Sequence, residues 1–220
     1  MKKDLVVKNF ECGNSREDIT LSISPITFLV GPDERKKDAI FYTVEAELDY
    51  DGNIFDFDIS VDDLISDFAK KWISKLKIVD DETDRNDQLL MILRAIDRAI
   101  EKKIAGLAIK DPECHLYPAT QSLLADMFYE AYNDYGIHFI VETHSEYLIR
   151  ESQVLVATEV YDKPSEEEVG NECPFATYYV PDKAEGKPPY SLRYRKDGKF
   201  KGKFGKGFYD EAGKLAFEIL

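Results

Sequence analysis

Apolar and polar positions alternate along Leu5-Val-Val-Lys-Asn-Phe10 and again along Ile19-Thr-Leu-Ser-Ile23. This period of two predicts two strands, paired as a hairpin across Cys12–Asp18. Ile26-Thr-Phe-Leu-Val30 is a nearly continuous apolar run, the texture of a strand buried on both faces, and it stops at the breaker pair Gly31-Pro32. Gly106–Ile109 and Ile137–Val141 have the same texture, and each runs straight into polar residues. Between the strands the period changes. A short helix is predicted from Lys37 to about Leu48, and a second over Ser60–Lys77 with Leu64, Phe68, Trp72 and Ile73 near one face. Leu89, Ile92, Leu93, Ile96 and Ile100 make Asp87–Lys103 amphipathic. Pro118 and Gly136 bracket another helix, whose buried stripe is Leu124, Met127, Phe128 and Ala131. Toward the C-terminus, Ala176–Val180 and Ser191–Arg195 read as strands of a small antiparallel element, and a last helix is predicted from Gly207 to Ile219.

Strand, crossover helix, strand, with chemistry collected where the strands end, is the grammar of a parallel α/β sheet. The 220 residues fit one large domain, or one domain with an appended lobe. We place a core over residues 1–162, with a short helical segment at about 41–83, and a β-rich and helical lobe over 163–220 packed on it. A formal charge of −14 disfavours general nucleic-acid binding, because phosphates would be repelled. The charge is uneven: residues 39–69 hold nine acids and no Lys or Arg, whereas 183–206 hold nine Lys or Arg against two acids. Three widely spaced cysteines fit reduced thiols. No segment has the length of a transmembrane helix and Met1-Lys-Lys lacks a signal peptide's apolar run, so no membrane contact and a cytoplasmic setting are expected.

Three stretches carry the chemistry. Gly31-Pro-Asp-Glu-Arg-Lys-Lys-Asp-Ala-Ile40 follows the first buried strand. Ile104-Ala-Gly-Leu-Ala-Ile-Lys-Asp-Pro-Glu-Cys-His-Leu-Tyr-Pro118 contains the second, and Ile137-His-Phe-Ile-Val-Glu-Thr-His-Ser-Glu-Tyr-Leu-Ile149 the third. Together they resemble the P-loop, Walker B and switch-histidine regions of ATP-binding-cassette-type ATPase heads. The resemblance is to the branch of SMC and RecF proteins and the overcoming-lysogenization-defect nucleases. Its members read Val-Gly-Pro-Asn-x-x-Gly-Lys-Ser, Ile-Glu-Glu-Pro-Glu-x-His-Leu-His-Pro and Glu-Thr-His-Ser. The resemblance implies a mainly parallel core sheet flanked by helices, with an N-terminal antiparallel β element and a small C-terminal α+β lobe.

It also implies a role for each matching position. Gly31 falls on the first P-loop glycine, Lys37 on the phosphate-binding lysine and His144 on the histidine that contacts γ-phosphate. Other positions depart from the pattern. Lys36 stands for the second glycine, Asp38 for the hydroxyl that binds magnesium and Lys110 for the first Walker B acid, while Asp111 is a shortened catalytic Glu. Asp33 and Glu34 add negative charge where phosphates would lie. We therefore expect an Asp38–Lys110 salt bridge with the ammonium near the metal position, and His144 and Asp111 as vestiges. Asp84-Arg-Asn-Asp-Gln-Leu-Leu-Met-Ile92 keeps Gln88 of the signature but loses its glycines, and Asp87 reads as a helix cap. Cys114, His115, His138 and His144 lack zinc spacing, so no metal is assigned.

The leading reading is a degenerate bacterial ATPase head without a cofactor, acting through a protein partner or self-association across its head face, in DNA repair or phage defence. The second is an active ATPase with a divergent site, which alone brings in ATP and Mg²⁺. The third is a nucleic-acid-associated module whose basic, aromatic surface includes Arg193, Arg195, Lys196 and Lys199.

Overall fold

Ile26–Val30 (β3) is buried at every position, and it sits in the middle of the sheet. The computed structural model describes residues 3–12, 14–48, 50, 61–78, 84–205 and 208. Within them Gly106–Lys110 (β4), His138–Glu142 (β5), β3 and Phe175–Tyr179 (β6) pair in parallel. Tyr190–Tyr194 (β7) and Phe200–Lys201 (β8) extend the sheet antiparallel, in the order β4-β5-β3-β6-β7-β8. The hairpin of Lys3–Cys12 (β1) and Ser15–Ile23 (β2) forms its own two-stranded sheet.

Alternation along the buried strands sends side chains into two cores. Phe28, Val30, Ile109, Phe139 and Val141 pack with Trp72, Leu93 and Phe128 from the helices of one face. Leu29, Ala108 and Ile140 point the other way, onto Leu5, Val7 and Leu21 of the hairpin and Ile40, Phe41 and Val44 of the first helix. The helices are Glu34–Leu48 (α1), Asp67–Leu76 (α2), Asp84–Lys102 (α3), Pro118–Tyr135 (α4) and Glu146–Leu155 (α5). Gly136 closes α4 at φ 71°, a left-handed turn natural to glycine. No helix among the described residues is long and apolar enough to cross a membrane.

Several expectations need correction. Helix α1 begins at Glu34 rather than Lys37, because Asp33 Oδ1 accepts from Lys36 N at 3.2 Å and caps it there. Asp87 is not a cap: α3 already starts at Asp84, so Asp87 lies inside the helix. The helix foreseen over 60–77 is broken into a 3₁₀ turn at Val61–Asp63 and α2. The break is held by the buried Asp97 carboxylate, which accepts from Ser66 N at 2.8 Å, while Ser66 Oγ caps α2. β6 is not part of a separate lobe but lies beside β3 in the main sheet, so a boundary after residue 162 would cut the core. Helix α5, capped by Ser145, was not foreseen, although Ser145 followed by Glu146 and the apolar pair Leu148 and Ile149 is a helix-start signal. Most of the last helix foreseen, and residues 51–60 of the acidic run, lie outside the described residues.

Candidate functional site

The carboxyl ends of β3, β4 and β5 bring the three sequence stretches to one edge of the sheet. Gly31 leaves β3 at φ 122°, and a Cβ there would stand 2.3 Å from the Val180 carbonyl oxygen, so only glycine fits. Since α1 starts three residues later, Glu34, Arg35 and Lys36 form a helical turn rather than an open loop. Lys36 turns away from the edge: its ammonium bonds the Pro181 carbonyl at 3.1 Å and lies 3.4 Å from Asp33.

Lys37 is fully buried. Its Nζ lies 2.8 Å from Glu34 Oε1, 3.1 Å from Glu142 Oε1 and 3.2 Å from His144 Nε2. His144 Nε2 is also 3.1 Å from Glu34 Oε1 and 3.7 Å from Asp111 Oδ1. Glu142 is 2% exposed, and its Oε2 has no hydrogen-bond partner among the described residues. Burial pushes the Glu142 carboxyl up to about 7, and a hydrogen bond with the Glu34 carboxyl pushes the same way, against the pull of Lys37. Burial is the largest influence on Glu34 and would raise it, but its bonds to the Lys37 ammonium and the Glu142 carboxyl, with the charges of Lys37 and His144, together hold it below the usual range.

Lys110 closes the other side. Its ammonium pairs with Asp38 Oδ1, stands 3.9 Å from Glu142 Oε2, and lies 4.9 and 5.0 Å from the ring centres of Phe41 and Tyr42. Burial works against the ammonium, yet the Asp38 carboxylate keeps its pKa above the ordinary lysine value. Lys36, Lys37 and Lys110 thus each have a carboxylate partner.

The turn after β4 is strained at Asp111 (φ 44°) and His115 (φ 59°). It is tied to β5 through Asp111 N on the Glu142 carbonyl at 2.9 Å. Glu113 accepts from Thr143 Oγ1 at 2.7 Å and from His144 N at 2.5 Å, which fixes the loop carrying the histidine. Gln88 reaches the Asp111 carbonyl at 3.4 Å. The site therefore gathers Lys37, Asp38, Lys110, Asp111, Gln88 and His144, with Gly31 at its base. Two further members, Glu34 and Glu142, are central. Glu142 was legible only as part of Glu-Thr-His-Ser, because nothing in a sequence says which strand-end acid will be buried against a lysine.

The basic residues near the C-terminus are elsewhere, on β7 and the turn after it. Arg193 pairs with Glu168 at 3.1 Å, Lys196 with Glu167 at 2.8 Å, and Arg195 with Asp197 at 2.7 Å and Glu166 at 3.2 Å. Lys199 lies 3.8 Å from Asp197.

Residues 88–149, which span α3 to α5, match the family model of the AAA ATPase domain. The SMC head domain from Thermotoga maritima is similar over 88% of this chain and 99% of its own, at 10% identity and a TM-score of 0.51. The ATP-binding cassette MJ1267 of an ABC transporter, in its ADP conformation, aligns with 69% of this chain and 85% of its own at 12% identity and a TM-score of 0.46. No curated protein matches the sequence. The chain has the fold of an ABC/SMC-type P-loop ATPase head.

Proposed function

We propose that this ATPase-like head is hydrolysis-deficient and works through protein contacts, as an interaction or regulatory subunit. The observation that carries the reading is the Asp38–Lys110 ion pair. By resemblance these positions belong to the P-loop hydroxyl and the Walker B acid, which share one magnesium ion. An ammonium in their midst repels a divalent cation, and Asp38 is already neutralised by it. Lys37 is likewise committed to Glu34 and Glu142. The residues present do not fit a magnesium-nucleotide complex, and no catalytic step is assigned.

The same sheet edge is the face proposed for the partner. Tyr42, Tyr117 and Tyr147 are exposed there on α1, before α4 and on α5, and tyrosines enrich protein interfaces. Either a second copy of the chain or an active relative suits that face, and a bacterial DNA-repair or phage-defence system is the setting proposed for the pairing. Calorimetric titration with ATP, with and without magnesium, tests the reading together with a phosphate-release assay. Neither magnesium-enhanced binding nor turnover is expected; micromolar affinity that rises with magnesium overturns the proposal.

A further inference from the structure

Glu34 opens the first turn of α1, where a helix favours an anion, and it points into the site. Its side chain is 54% exposed, so the core does not fix it, yet one oxygen meets both Lys37 Nζ at 2.8 Å and His144 Nε2 at 3.1 Å. Lys37 and His144 occupy the positions that the resemblance gives to the lysine and histidine gripping a terminal phosphate. A phosphate oxygen between them would have to take the place of Glu34 Oε1. We infer that Glu34 is a built-in stand-in for that phosphate, an intramolecular anion that keeps the pocket filled and shuts phosphate compounds out. The inference rests on the hydrolysis-deficient reading and adds the residue that enforces it.

The charges show why one residue decides the outcome. Lys37 and Lys110 face three carboxylates, those of Glu34, Asp38 and Glu142. An incoming phosphate therefore meets no spare positive charge and must also displace a contact already made. Without Glu34, Lys37 keeps Glu142 at 3.1 Å and Lys110 keeps Asp38, so both remaining pairs are neutral. The Lys37 ammonium then faces the space beside His144, at the first turn of α1, where a helix favours an anion. Asp33 does not refill it, because its carboxylate caps α1 and lies beside Lys36.

The test is calorimetric titration of inorganic phosphate, and of ATP in chelator, into the wild type, Glu34→Ala and Glu34→Gln. Leaving magnesium out separates this site from the Asp38–Lys110 pair. The wild type is expected to stay silent. Removing a like charge in contact with the ligand should make Glu34→Ala bind roughly a hundredfold tighter. Glu34→Gln should gain less, since its amide still fills the space and bonds His144. A nitrogen-resolved NMR shift of the His144 ring between wild type and Glu34→Gln reports the contact directly, even if Glu34→Ala folds poorly. A silent wild type with an equally silent, folded Glu34→Ala overturns the inference alone, as does an unmoved His144 signal. Magnesium-dependent turnover by the wild type overturns the parent reading whatever Glu34 does.

Discussion

Two charge clusters in this molecule pair basic side chains with carboxylates under opposite conditions. At the carboxyl edge of the sheet, Lys37 and Glu142 are 0% and 2% exposed and meet at 3.1 Å. Along β7, Arg193 is 69% exposed and Glu168 33%, and they meet at the same 3.1 Å. Distance alone therefore says nothing about what each pair does. Ions taken out of water lose several kcal/mol of hydration each, so removing one partner of a buried pair strands the other at high cost. An exposed pair is screened by solvent and contributes little. The Lys37–Glu142 pair is consequently one coupled unit, while the second cluster is a neutralised surface. A stretch that reads as a basic, aromatic nucleic-acid patch is covered by Glu166, Glu167 and Glu168, which the neighbouring loop lays alongside it.

The sharpest way to break the comparison is at Lys37. Measured well above the Glu142 pKa, where that carboxyl is ionised, Lys37→Met should destabilise the fold by about 3 kcal/mol, because Glu142 is left buried without its cation. Urea unfolding measures it. Adding Glu142→Gln should restore most of the loss, and a full loss in the double variant as well would mean the two residues are not coupled. The pH response comes next. With Glu142 raised to about 7, the native state holds a proton over a range in which the unfolded chain, near 4.5, has released it. Stability from this group therefore falls as pH rises from about 4.5 to about 7 and levels off above. The wild-type profile minus that of Glu142→Gln should show that slope; a flat difference would remove the buried, proton-sharing carboxyl from the account.

These two residues also mark where sequence reasoning stops. The strands were legible because Ile26–Val30, Gly106–Ile109 and Ile137–Val141 are short apolar runs with polar ends. Helices α3 and α4 were legible from their apolar spacing, and Leu124, Met127, Phe128 and Ala131 are buried. The resemblance supplied the positions of Lys37, Asp38, Lys110 and His144 but not their partners. Glu34 was visible only as unwelcome charge, since an early helix start is what turns it toward Lys37 and His144. That start is held by the Asp33 carboxylate on Lys36 N, a cap that the apolar spacing did not mark. The position of β6 beside β3 was hidden for a different reason. Phe175–Tyr179 is aromatic and mixed, and nothing in it distinguishes a central parallel strand from an antiparallel one.

A smaller effect tests the middle ground. Lys110 and Asp38 are 30% and 42% exposed, so solvent screens their pair more than it screens Lys37–Glu142. Lys110→Ala should cost about 1 kcal/mol, including its contacts with Phe41 and Tyr42. Its chemical consequence is the more useful one: magnesium should begin to raise the melting temperature, because Asp38 and Glu142, the two carboxylates around Lys110, then face an ion without a competing ammonium. No magnesium response in Lys110→Ala would mean that the ammonium is not what excludes the metal.

The smallest effect belongs to the surface cluster. Arg193→Ala should leave the unfolding midpoint within the scatter of repeat measurements, because both partners remain in reach of water and Glu168 keeps Lys201. Reversing Arg193, Arg195 and Lys196 together to Glu is more demanding, since Glu166, Glu167 and Glu168 then repel their former partners. Some loss of stability at low salt is expected, and it should shrink as salt is added. Oligonucleotide binding offers the decisive contrast. A patch whose charges are already paired releases few counterions, so the wild type should show no salt-dependent retention of single-stranded DNA or RNA. Binding that weakens steeply with salt and vanishes in the reversed variant would show that the acidic loop gives way to phosphate. The two clusters would then differ in which ligand can enter rather than in whether one can.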